Sequence, residues 1–365
     1  MHQMPKKVAI LSSLFGDIGV GGAELALYNI ALGLKNKYEV HVIASHESEI
    51  ANPRIFSQGI KMHFLKSQGL HHSKYKLDFF WEAWRTLVAI KPDVCIIKTV
   101  IFAPLISLYV RLYGKKAICH LNHDKEVLPK KIDGYTTLLK AIFQRISLHS
   151  LKRLILIAQT DYQRDQLEKN FGIKSMVLRD GHVAPQYEVK KASPPLILWL
   201  ANLRREKRVD LLLELVKKVK KVDCRFVVAG KSMDAGCLET LEQGLQELPN
   251  LSYLGAVPHD QALELVGKAT ALINVSDNEG FPLAFIEAWT WGTPTVALNF
   301  DPDDLITRYQ LGFRSGTVEN MARDLEGLLA DEKLYRRLSE NAKNYAQRCH
   351  SHERYLQELD RLIGV

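Results

Sequence analysis

Residues 278–296 read NEGFPLAFIEAWTWGTPTV, and this stretch predicts a loop, a helix and a buried strand in succession. Pro282 suits the first helical position, because its ring already holds a helical φ and no N–H is needed there. The apolar run 283–291 predicts one short helix, which Gly292 ends. The β-branched run 295–298 then predicts a buried strand.

Two carboxylates, Glu279 and Glu287, lie on either side of the predicted helix start. The free N–H groups at that helix N-terminus form an anion site that suits a phosphate. The carboxylates could accept hydrogen bonds from hydroxyls attached to the same phosphate. A ligand with both phosphate and hydroxyl groups indicates a nucleotide sugar.

The string EGFPLAFIE, residues 279–287, resembles the E-x7-E signature of retaining glycosyltransferases of the GT-B fold, most closely glycosyltransferase family 4. An ordinary αβ unit with two incidental glutamates is the alternative. The resemblance implies that Glu279 holds the hydroxyls of the donor sugar and Glu287 holds the nucleotide ribose. It also implies donor contacts at the helix start, from Gly280, Phe281, Pro282 and Leu283.

The rest of the chain alternates buried-strand runs with helical patterns, which predicts an α/β class with parallel sheets. The predicted strands lie at 8–13, 39–45, 60–65, 93–98, 117–121, 153–158 and 175–181, then at 196–201, 224–230, 251–255, 271–276 and 294–298. From 318 to 363 the pattern is helical only.

These patterns predict two domains, which also suits a length of 365 residues. We expect an N-terminal acceptor-binding domain at 1–183, a polar linker at 184–195 and a C-terminal donor-binding domain at 196–349. The resemblance implies the GT-B arrangement of two Rossmann-like domains facing a central cleft. It also implies that 350–365 crosses back to the N-terminal domain.

The loop 15–24, FGDIGVGGAE, carries glycines that let backbone approach a ligand at the start of a helix. Their spacing does not match a dinucleotide fingerprint, and the second strand ends in Ser45 and His46 instead of an acidic residue. Family 4 enzymes carry a similar loop, so the resemblance assigns Gly21 and Gly22 to the donor phosphate. A tight βα turn is the alternative.

The loop 201–210, ANLRREKRVD, follows the first strand of the second half, where α/β folds bind ligands. Arg204 and Lys207 there can bind phosphate, by two hydrogen bonds and by a point charge. The family pattern usually has arginine where this chain has Asn202. The sequence is similar instead to an N-L-R-x-x-K-R subgroup. A solvated basic loop is the alternative.

A polar cluster, HLNHDKE, follows the strand predicted at 117–121. Many family members place a His-Asp pair there, against the donor sugar. We favour His123, with Asp124 after it, and take His120 second. A surface histidine pair is the alternative, and a metal site of these three residues lacks a fourth ligand.

Weaker signals complete the predicted site. The loop 254–261 resembles the one that reads the nucleotide base, which makes Val257 a candidate. The turn DGH, residues 180–182, resembles the family's turn at the cleft. The acidic run 301–304 contains D-x-D, but here we expect it to cap a helix. We expect no cofactor and no essential metal.

The amino-acid composition limits which classes of protein the chain can belong to. The hydrophobic fraction is 47% and the net charge is +8, from 49 basic and 41 acidic residues. This surplus favours anionic partners, but no nucleic-acid module appears. The apolar run 100–110 is too short to span a bilayer, and the first residues do not resemble a signal peptide. The five cysteines are scattered, which indicates a reducing cytosol.

The resemblance therefore implies a retaining, hexosyltransferase-type enzyme that moves a sugar from a nucleotide-diphosphate sugar to a hydroxyl of a glycan or lipid-linked acceptor. It also implies a role in bacterial surface polysaccharide or lipopolysaccharide synthesis, as in many bacterial members of the family. Basic residues interleave with apolar ones at 130–153, which fits either a core-facing helix or an amphipathic face on an anionic membrane. A non-catalytic nucleotide-sugar-binding protein and a GT-B-type epimerase remain as alternatives.

Overall fold

The computed structural model describes residues 5–15, 21–45, 59–67, 76–129, 135–183, 185, 187–277 and 279–364, without the side chains of 76, 135–141 and 143. The chain forms two compact units. The first comprises Met1–Arg179 with Tyr355–Val365, and the second comprises Asp180–Arg354. The finer boundaries predicted from sequence, including the linker, stay predictions.

The first unit is built on a seven-stranded parallel sheet in the order β3-β2-β1-β4-β5-β6-β7. Its strands are β1 Lys7–Leu11, β2 Glu39–Ser45, β3 Lys61–Leu65, β4 Val94–Ile97, β5 Lys116–His120, β6 Ile155–Ala158 and β7 Met176–Val177. Its helices are α1 Gly22–Leu34, α2 Lys76–Ile90, α3 Ala103–Tyr113, α4 Asp124–Val127, α5 Tyr135–Leu151 and α6 Asp161–Phe171.

Apolar clusters cover both faces of this sheet. One contains Leu11, Ile97 and Cys119 with side chains of α2 and α3, and the other contains Ile10 and Ile96 with side chains of α1. A parallel strand that is buried on both faces needs apolar residues at consecutive positions. The uninterrupted apolar runs of the sequence are therefore the strands.

The second unit carries a six-stranded parallel sheet in the order β10-β9-β8-β11-β12-β13. Its strands are β8 Leu196–Leu200, β9 Arg225–Ala229, β10 Leu251–Tyr253, β11 Ala271–Asn274, β12 Thr295–Ala297 and β13 Gly312–Arg314. Its helices are α7 Val209–Lys218, α8 Ala235–Glu247, α9 His259–Lys268, α10 Leu283–Thr290, α11 Leu305–Arg308, α12 Val318–Ala330, α13 Glu332–Cys349 and α14 His352–Gly364, whose larger part lies in the first unit.

The sequence patterns missed β13. This edge strand has three residues and only one large apolar side chain, so no strand pattern marks it. It pairs with β12 through Gly312, whose φ is +151°. A Cβ at Gly312 would collide with the carbonyl of Thr295, so only glycine allows this close approach.

The last helix, α14, returns to the first unit as predicted. Tyr355, Leu359 and Ile363 are buried in the same cluster as Ile10 and the side chains of α1. At its outer edge Asp360 accepts hydrogen bonds from Tyr38 Oη at 2.6 Å and Lys37 Nζ at 2.7 Å. The apolar contacts dominate this attachment, because the Lys37 pair is largely exposed.

Part of the segment predicted as a linker packs on the second unit. Lys191 Nζ donates to Ala269 O at 2.8 Å and to Thr293 Oγ1 at 2.9 Å. The Ala192 amide donates to Lys268 O at 2.9 Å. Within the described ranges, none of the helices is long and apolar enough to cross a bilayer.

Candidate functional site

Two loops meet at the carboxyl ends of β8 and β11. These strands are parallel neighbours, with Ile197 paired to Ala271, so their following loops emerge at the same edge of the sheet. The loop after β8 forms a 3-10 turn at Arg205–Lys207. The Asp277 amide donates to Glu206 O at 2.9 Å, and this bond ties the two loops together. The topology therefore brings the basic loop and the first glutamate of E-x7-E to one place.

Lys207 and Glu279 form the central ion pair of this edge. Lys207 Nζ lies 2.5 Å from Glu279 Oε1, and the two side chains are 19% and 11% exposed. Asn274 at the end of β11 donates to the same oxygen at 3.2 Å. The carboxylate is thus held by a lysine and an amide from the ends of two neighbouring strands. Sequence analysis named Lys207 and Glu279 but not Asn274.

Arg204 differs from the other arginines of its loop. Arg205 pairs with Asp234 at 3.0 Å, and Arg208 pairs with Asp210 and Asp277. Within the described part of the chain, the half-buried Arg204 guanidinium makes no hydrogen bond or ion pair. It is the arginine of this loop that remains available to an anion.

Asn202 has a structural contact. Its Oδ1 accepts a hydrogen bond at 3.0 Å from the Lys231 amide, just after β9. Gly230 precedes that amide with a φ of +150°, and a Cβ on it would collide with Ala201 O. Asn202 therefore joins the ends of β8 and β9 at a point where the two backbones are too close for a larger residue.

The helix of the E-x7-E stretch begins at Leu283, as the apolar run 283–291 predicted, but Pro282 does not have the position expected for it. Pro282 is the N-cap, with φ −64° and ψ 119°, and the helix runs over Leu283–Thr290. Pro282 therefore does not occupy the first helical position, because its ψ is extended. Among the described residues, no side chain caps this N-terminus. Gly280 and Phe281 are buried just before it. The amides of the first helical turn, beginning at Leu283, are groups that bind anions in other helices, and the anion site expected from sequence stays a prediction.

Glu287 lies on the buried side of α10 with two histidines. Its Oε1 is 3.7 Å from His182 Nε2 and 3.6 Å from His259 Nδ1. Burial raises the pKa of Glu287 to about 7. Burial, and then the neighbouring histidines, lower the pKa of His182 to about 3. Both shifts favour the neutral forms of these groups.

This trio is the one group of described residues whose ligand atoms converge as a metal site would need, all within 4.8 Å of one another. Sequence analysis considered His120, His123 and Asp124 for a metal instead, and these do not form such a group. The histidines of the trio come from a turn and from the first residue of α9, far apart in sequence. Only the fold brings them to Glu287.

Val257 lies in the loop between β10 and α9. It is half-buried and precedes Pro258, which is the N-cap of α9. This loop leads directly into His259, so Val257 lies beside the trio in the chain. Its predicted contact with the nucleotide base stays a prediction.

The first unit holds the remaining predicted residues. His120 is fully buried at the end of β5, with its Nε2 3.4 Å from the Tyr355 hydroxyl. His123 is half-buried and caps α4, since its Nδ1 accepts from the Lys125 amide at 3.1 Å. Of the two, His123 is the more accessible. Which of the two faces a donor sugar stays a prediction, with His123 first and His120 second.

Glu126 holds the backbone in place after β5 through hydrogen bonds, and the sequence patterns did not identify it. Its carboxylate accepts hydrogen bonds from the backbone amides of Asn122 at 2.7 Å, His123 at 3.3 Å and Val100 at 3.3 Å. The capping box between His123 and Glu126 was the available signal. Its position three residues after a capping side chain could have been read from the sequence.

The glycine loop is described only from Gly21 onward, and Gly19 lies outside the described residues. Gly21 is the N-cap of α1 and Gly22 is its first residue, and among the described residues no side chain caps this helix. The predicted contact of Gly21 and Gly22 with the donor phosphate stays a prediction.

Two parallel-sheet halves of this topology define a protein of the GT-B class, the architecture of the glycosyltransferases to which the structure is similar. The crystal structure of Anabaena HepE, solved in complex with UDP and glucose, has a TM-score of 0.76, an identity of 15%, and coverage of 98% of this chain and 99% of that one. WaaG, a glycosyltransferase involved in lipopolysaccharide biosynthesis, has a TM-score of 0.75 and an identity of 15%, with coverage of 98% and 99%.

Family profiles narrow the class. Residues 20–182 match Glycosyltransferase Family 4, and residues 184–345 match Glycosyl transferases group 1. The chain belongs to glycosyltransferase family 4. N-acetyl-alpha-D-glucosaminyl L-malate synthase from Bacillus anthracis is 24% identical over 188 residues, which are 50% of this chain and 44% of that protein. The chain spans about half the length of the first two curated relatives it matches.

Proposed function

We propose that the protein is a retaining, hexosyltransferase-type glycosyltransferase that moves a sugar from a nucleotide-diphosphate sugar to an acceptor hydroxyl. The Lys207–Glu279 pair carries this proposal, because it joins a cation to a hydroxyl acceptor four residues before the start of α10, a helix that no described side chain caps. A diphosphate and a sugar need these groups side by side.

The donor would bind along the strand ends of the second unit. Its diphosphate would contact Arg204, Lys207 and the first amides of α10. Glu279 would accept hydrogen bonds from the sugar hydroxyls, and Glu287 from the ribose. The bond from Lys207 to Glu279 holds the ammonium at the strand ends where we propose that the phosphate binds.

Catalysis would consist of leaving-group stabilisation and positioning. As the bond from the anomeric carbon to the phosphate oxygen breaks, negative charge grows on the diphosphate. The Arg204 and Lys207 cations and the helix amides would stabilise that charge. The acceptor hydroxyl would attack the anomeric carbon from the face that the leaving group departs from, which retains the configuration, and its proton would pass to the departing phosphate oxygen. We propose that no essential metal takes part, because two cations and a helix N-terminus already face the diphosphate.

The solved neighbours support a nucleotide-sugar donor. HepE was crystallised with UDP and glucose and also with UDP-glucose. The curated relative from Bacillus anthracis carries the name of an enzyme that glycosylates malate. These names establish a sugar nucleotide as the first class of ligand to test, and the base and the sugar are part of that test.

Nucleotide binding tests the donor site directly. Thermal-shift measurements with UDP, GDP, ADP and CDP should show stabilisation by one base class, because a ligand of the native state alone shifts unfolding by mass action. Arg204→Ala should abolish the shift. Arg205→Ala is the matched control, since Arg205 is 87% exposed and pairs with Asp234. If the control loses the shift and Arg204→Ala keeps it, the proposed site is wrong.

An apolar face on the first unit supports a membrane-bound acceptor. It comprises exposed apolar side chains of α2, α3 and α5, which are Leu77, Trp81, Leu108, Leu112, Tyr113, Ile142 and Ile146. Helix α3 packs against both α2 and α5. Of the two sequence interpretations of residues 130–153, the exposed Ile142 and Ile146 favour the amphipathic one.

The charged residues of these three helices also support an anionic membrane as the partner. Neither α3 nor α5 contains an acidic residue, and Arg85, Arg111 and Arg145 are exposed on the three helices. Apolar side chains flanked by arginines suit an anionic membrane surface. We propose that the enzyme works there on a lipid-linked glycan in surface polysaccharide or lipopolysaccharide synthesis. The chain is then cytoplasmic, at the inner face of the membrane.

Vesicle sedimentation tests this face. Vesicles that contain phosphatidylglycerol should bind the protein, and vesicles of phosphatidylcholine alone should bind it weakly. Trp81→Ser with Leu112→Ser should release it, whereas Leu254→Ser, an exposed leucine of the second unit, should not. Equal binding to neutral vesicles, or a dimer that the double variant dissociates, would refute the membrane assignment.

A further inference from the structure

The trio of His182, His259 and Glu287 has two polar atoms that a ribose contact to one oxygen of Glu287 does not explain. His182 Nε2 and Glu287 Oε1 are enclosed by protein and have no hydrogen-bond partner among the described residues. The residues are 5% and 3% exposed. Buried polar atoms without a partner are rare in proteins, because each loses its bonds to water.

The position of the proton on the His182 ring shows what kind of partner Nε2 lacks. Its Nδ1 lies 3.1 Å from the carbonyl of Val183, and a carbonyl only accepts hydrogen bonds. Nδ1 therefore carries the proton, and Nε2 presents a lone pair. That lone pair faces the Glu287 oxygen at 3.7 Å. Two such atoms facing each other in a buried place are stable only if a shared proton or a cation lies between them.

The separations suit a metal ion. A tetrahedral ion with bonds of about 2.0–2.2 Å keeps its ligand atoms about 3.3–3.5 Å apart. Glu287 Oε1 is 3.7 Å from His182 Nε2 and 3.6 Å from His259 Nδ1. Side-chain shifts of a few tenths of an ångström would bring these two contacts into range.

The surroundings resemble those of protein metal ligands. A metal-binding histidine usually donates its other N–H to a carbonyl or carboxylate, as His182 does to Val183. The backbone of His182 is also held, since its amide donates to His350 O at 2.8 Å. The His259 side chain is 18% exposed, which offers an ion a route from solvent.

We infer that His182, His259 and Glu287 bind one divalent transition-metal ion of the Zn²⁺ type through two imidazole nitrogens and Glu287 Oε1. Two imidazoles and one carboxylate are ligands that Zn²⁺ favours. This site goes beyond the proposed donor chemistry. It leaves Glu287 Oε2 for the ribose, and the ion would hold the carboxylate in a fixed orientation beneath the nucleotide.

Titration of the chelator-treated protein with Co²⁺, followed by the visible absorption of four-coordinate cobalt, tests the site. We expect one ion per chain, displaced by Zn²⁺. His259→Ala should weaken binding at least ~100-fold, because it removes one of three ligands. This variant is chosen over one at His182, whose ring is buried and needed for packing.

His63→Ala is the matched control. It removes the other close pair of ring nitrogens, His41 Nδ1 and His63 Nε2 at 2.9 Å, and should leave cobalt binding unchanged. No absorption band in the wild-type protein, or equal affinity in His259→Ala, would overturn the inference and leave a shared proton as the positive centre. UDP binding to the chelator-treated protein reports separately on the donor site.

Discussion

The Lys207–Glu279 pair allows the sharpest test of the site, through both stability and transfer. The variants are Glu279→Gln, Lys207→Met and their combination. Each single change leaves the other group partly buried without its counter-ion, and Glu279→Gln also weakens the bond from Asn274. The double variant removes both charges, so less is left unpaired.

The structure sets the expected magnitude. Exposed ion pairs contribute about 0.2–1 kcal/mol, and breaking a fully buried pair costs about 3–5 kcal/mol. Side chains that are 19% and 11% exposed lie between these limits. We therefore expect each single variant to lose about 2 kcal/mol of unfolding free energy. The double variant should lose less than the sum, with a coupling of about 1–2 kcal/mol.

Urea unfolding followed by tryptophan fluorescence measures these values, since Trp199 and Trp289 are buried in the same unit. The Lys217–Glu247 pair is the matched control. It has a 2.7 Å separation but side chains that are 53% and 61% exposed, so Glu247→Gln should cost less than about 0.5 kcal/mol.

The rate of sugar transfer to an acceptor is the second quantity to measure. Glu279→Ala and Lys207→Ala should each lower the rate of sugar transfer at least ~100-fold, the scale of losing one key electrostatic group. Additive stability losses with near-normal transfer in both variants would refute the reasoning.

Three further outcomes are expected. Burial lowers the pKa of Lys191 from 10.5 to about 8. Between these two pH values the unfolded chain binds more protons than the folded one, so the free energy of unfolding should rise with pH by up to about 3 kcal/mol. Urea unfolding across that pH range should show this rise in the wild-type protein and not in Lys191→Met. Glu126→Gln should cost about 2–3 kcal/mol, because its amide places N–H groups against N–H donors, and a loss below about 0.5 kcal/mol in urea unfolding would contradict the role we give it. Leu359→Ala, fully buried, should cost about 2–5 kcal/mol, whereas Asp360→Asn should cost at most about 1 kcal/mol; equal losses in thermal unfolding would mean that polar contacts hold α14.

The strands were predictable because parallel strands buried on both faces need apolar residues at consecutive positions. The second strand was predicted at 39–45 and is observed at Glu39–Ser45. β13 was not predictable, since its pairing depends on a close approach at Gly312 and not on an apolar run. Helix starts were less certain, as Pro282 shows, because φ is set by the ring but ψ is set by the surrounding loop.

The sequence by itself determined which candidate groups follow the strands of the second unit, since Arg204, Lys207 and Glu279 lie in the loops after β8 and β11. Their roles in a donor site stay predictions. The sequence could not determine which of these groups are already paired. In sequence, Arg205 and Arg208 are equivalent to Arg204. Only the geometry of the loop shows that Arg205 and Arg208 form ion pairs with carboxylates.

Tertiary structure alone decided the surroundings of Glu287. Its two histidine neighbours, His182 and His259, come from a turn and from the start of another helix. No local pattern records such a meeting, because side chains distant in sequence are brought together by the packing of whole elements. Local sequence decides which chemical groups each loop carries. The packing of the sheet and helices decides which loops lie close enough for those groups to contact one another.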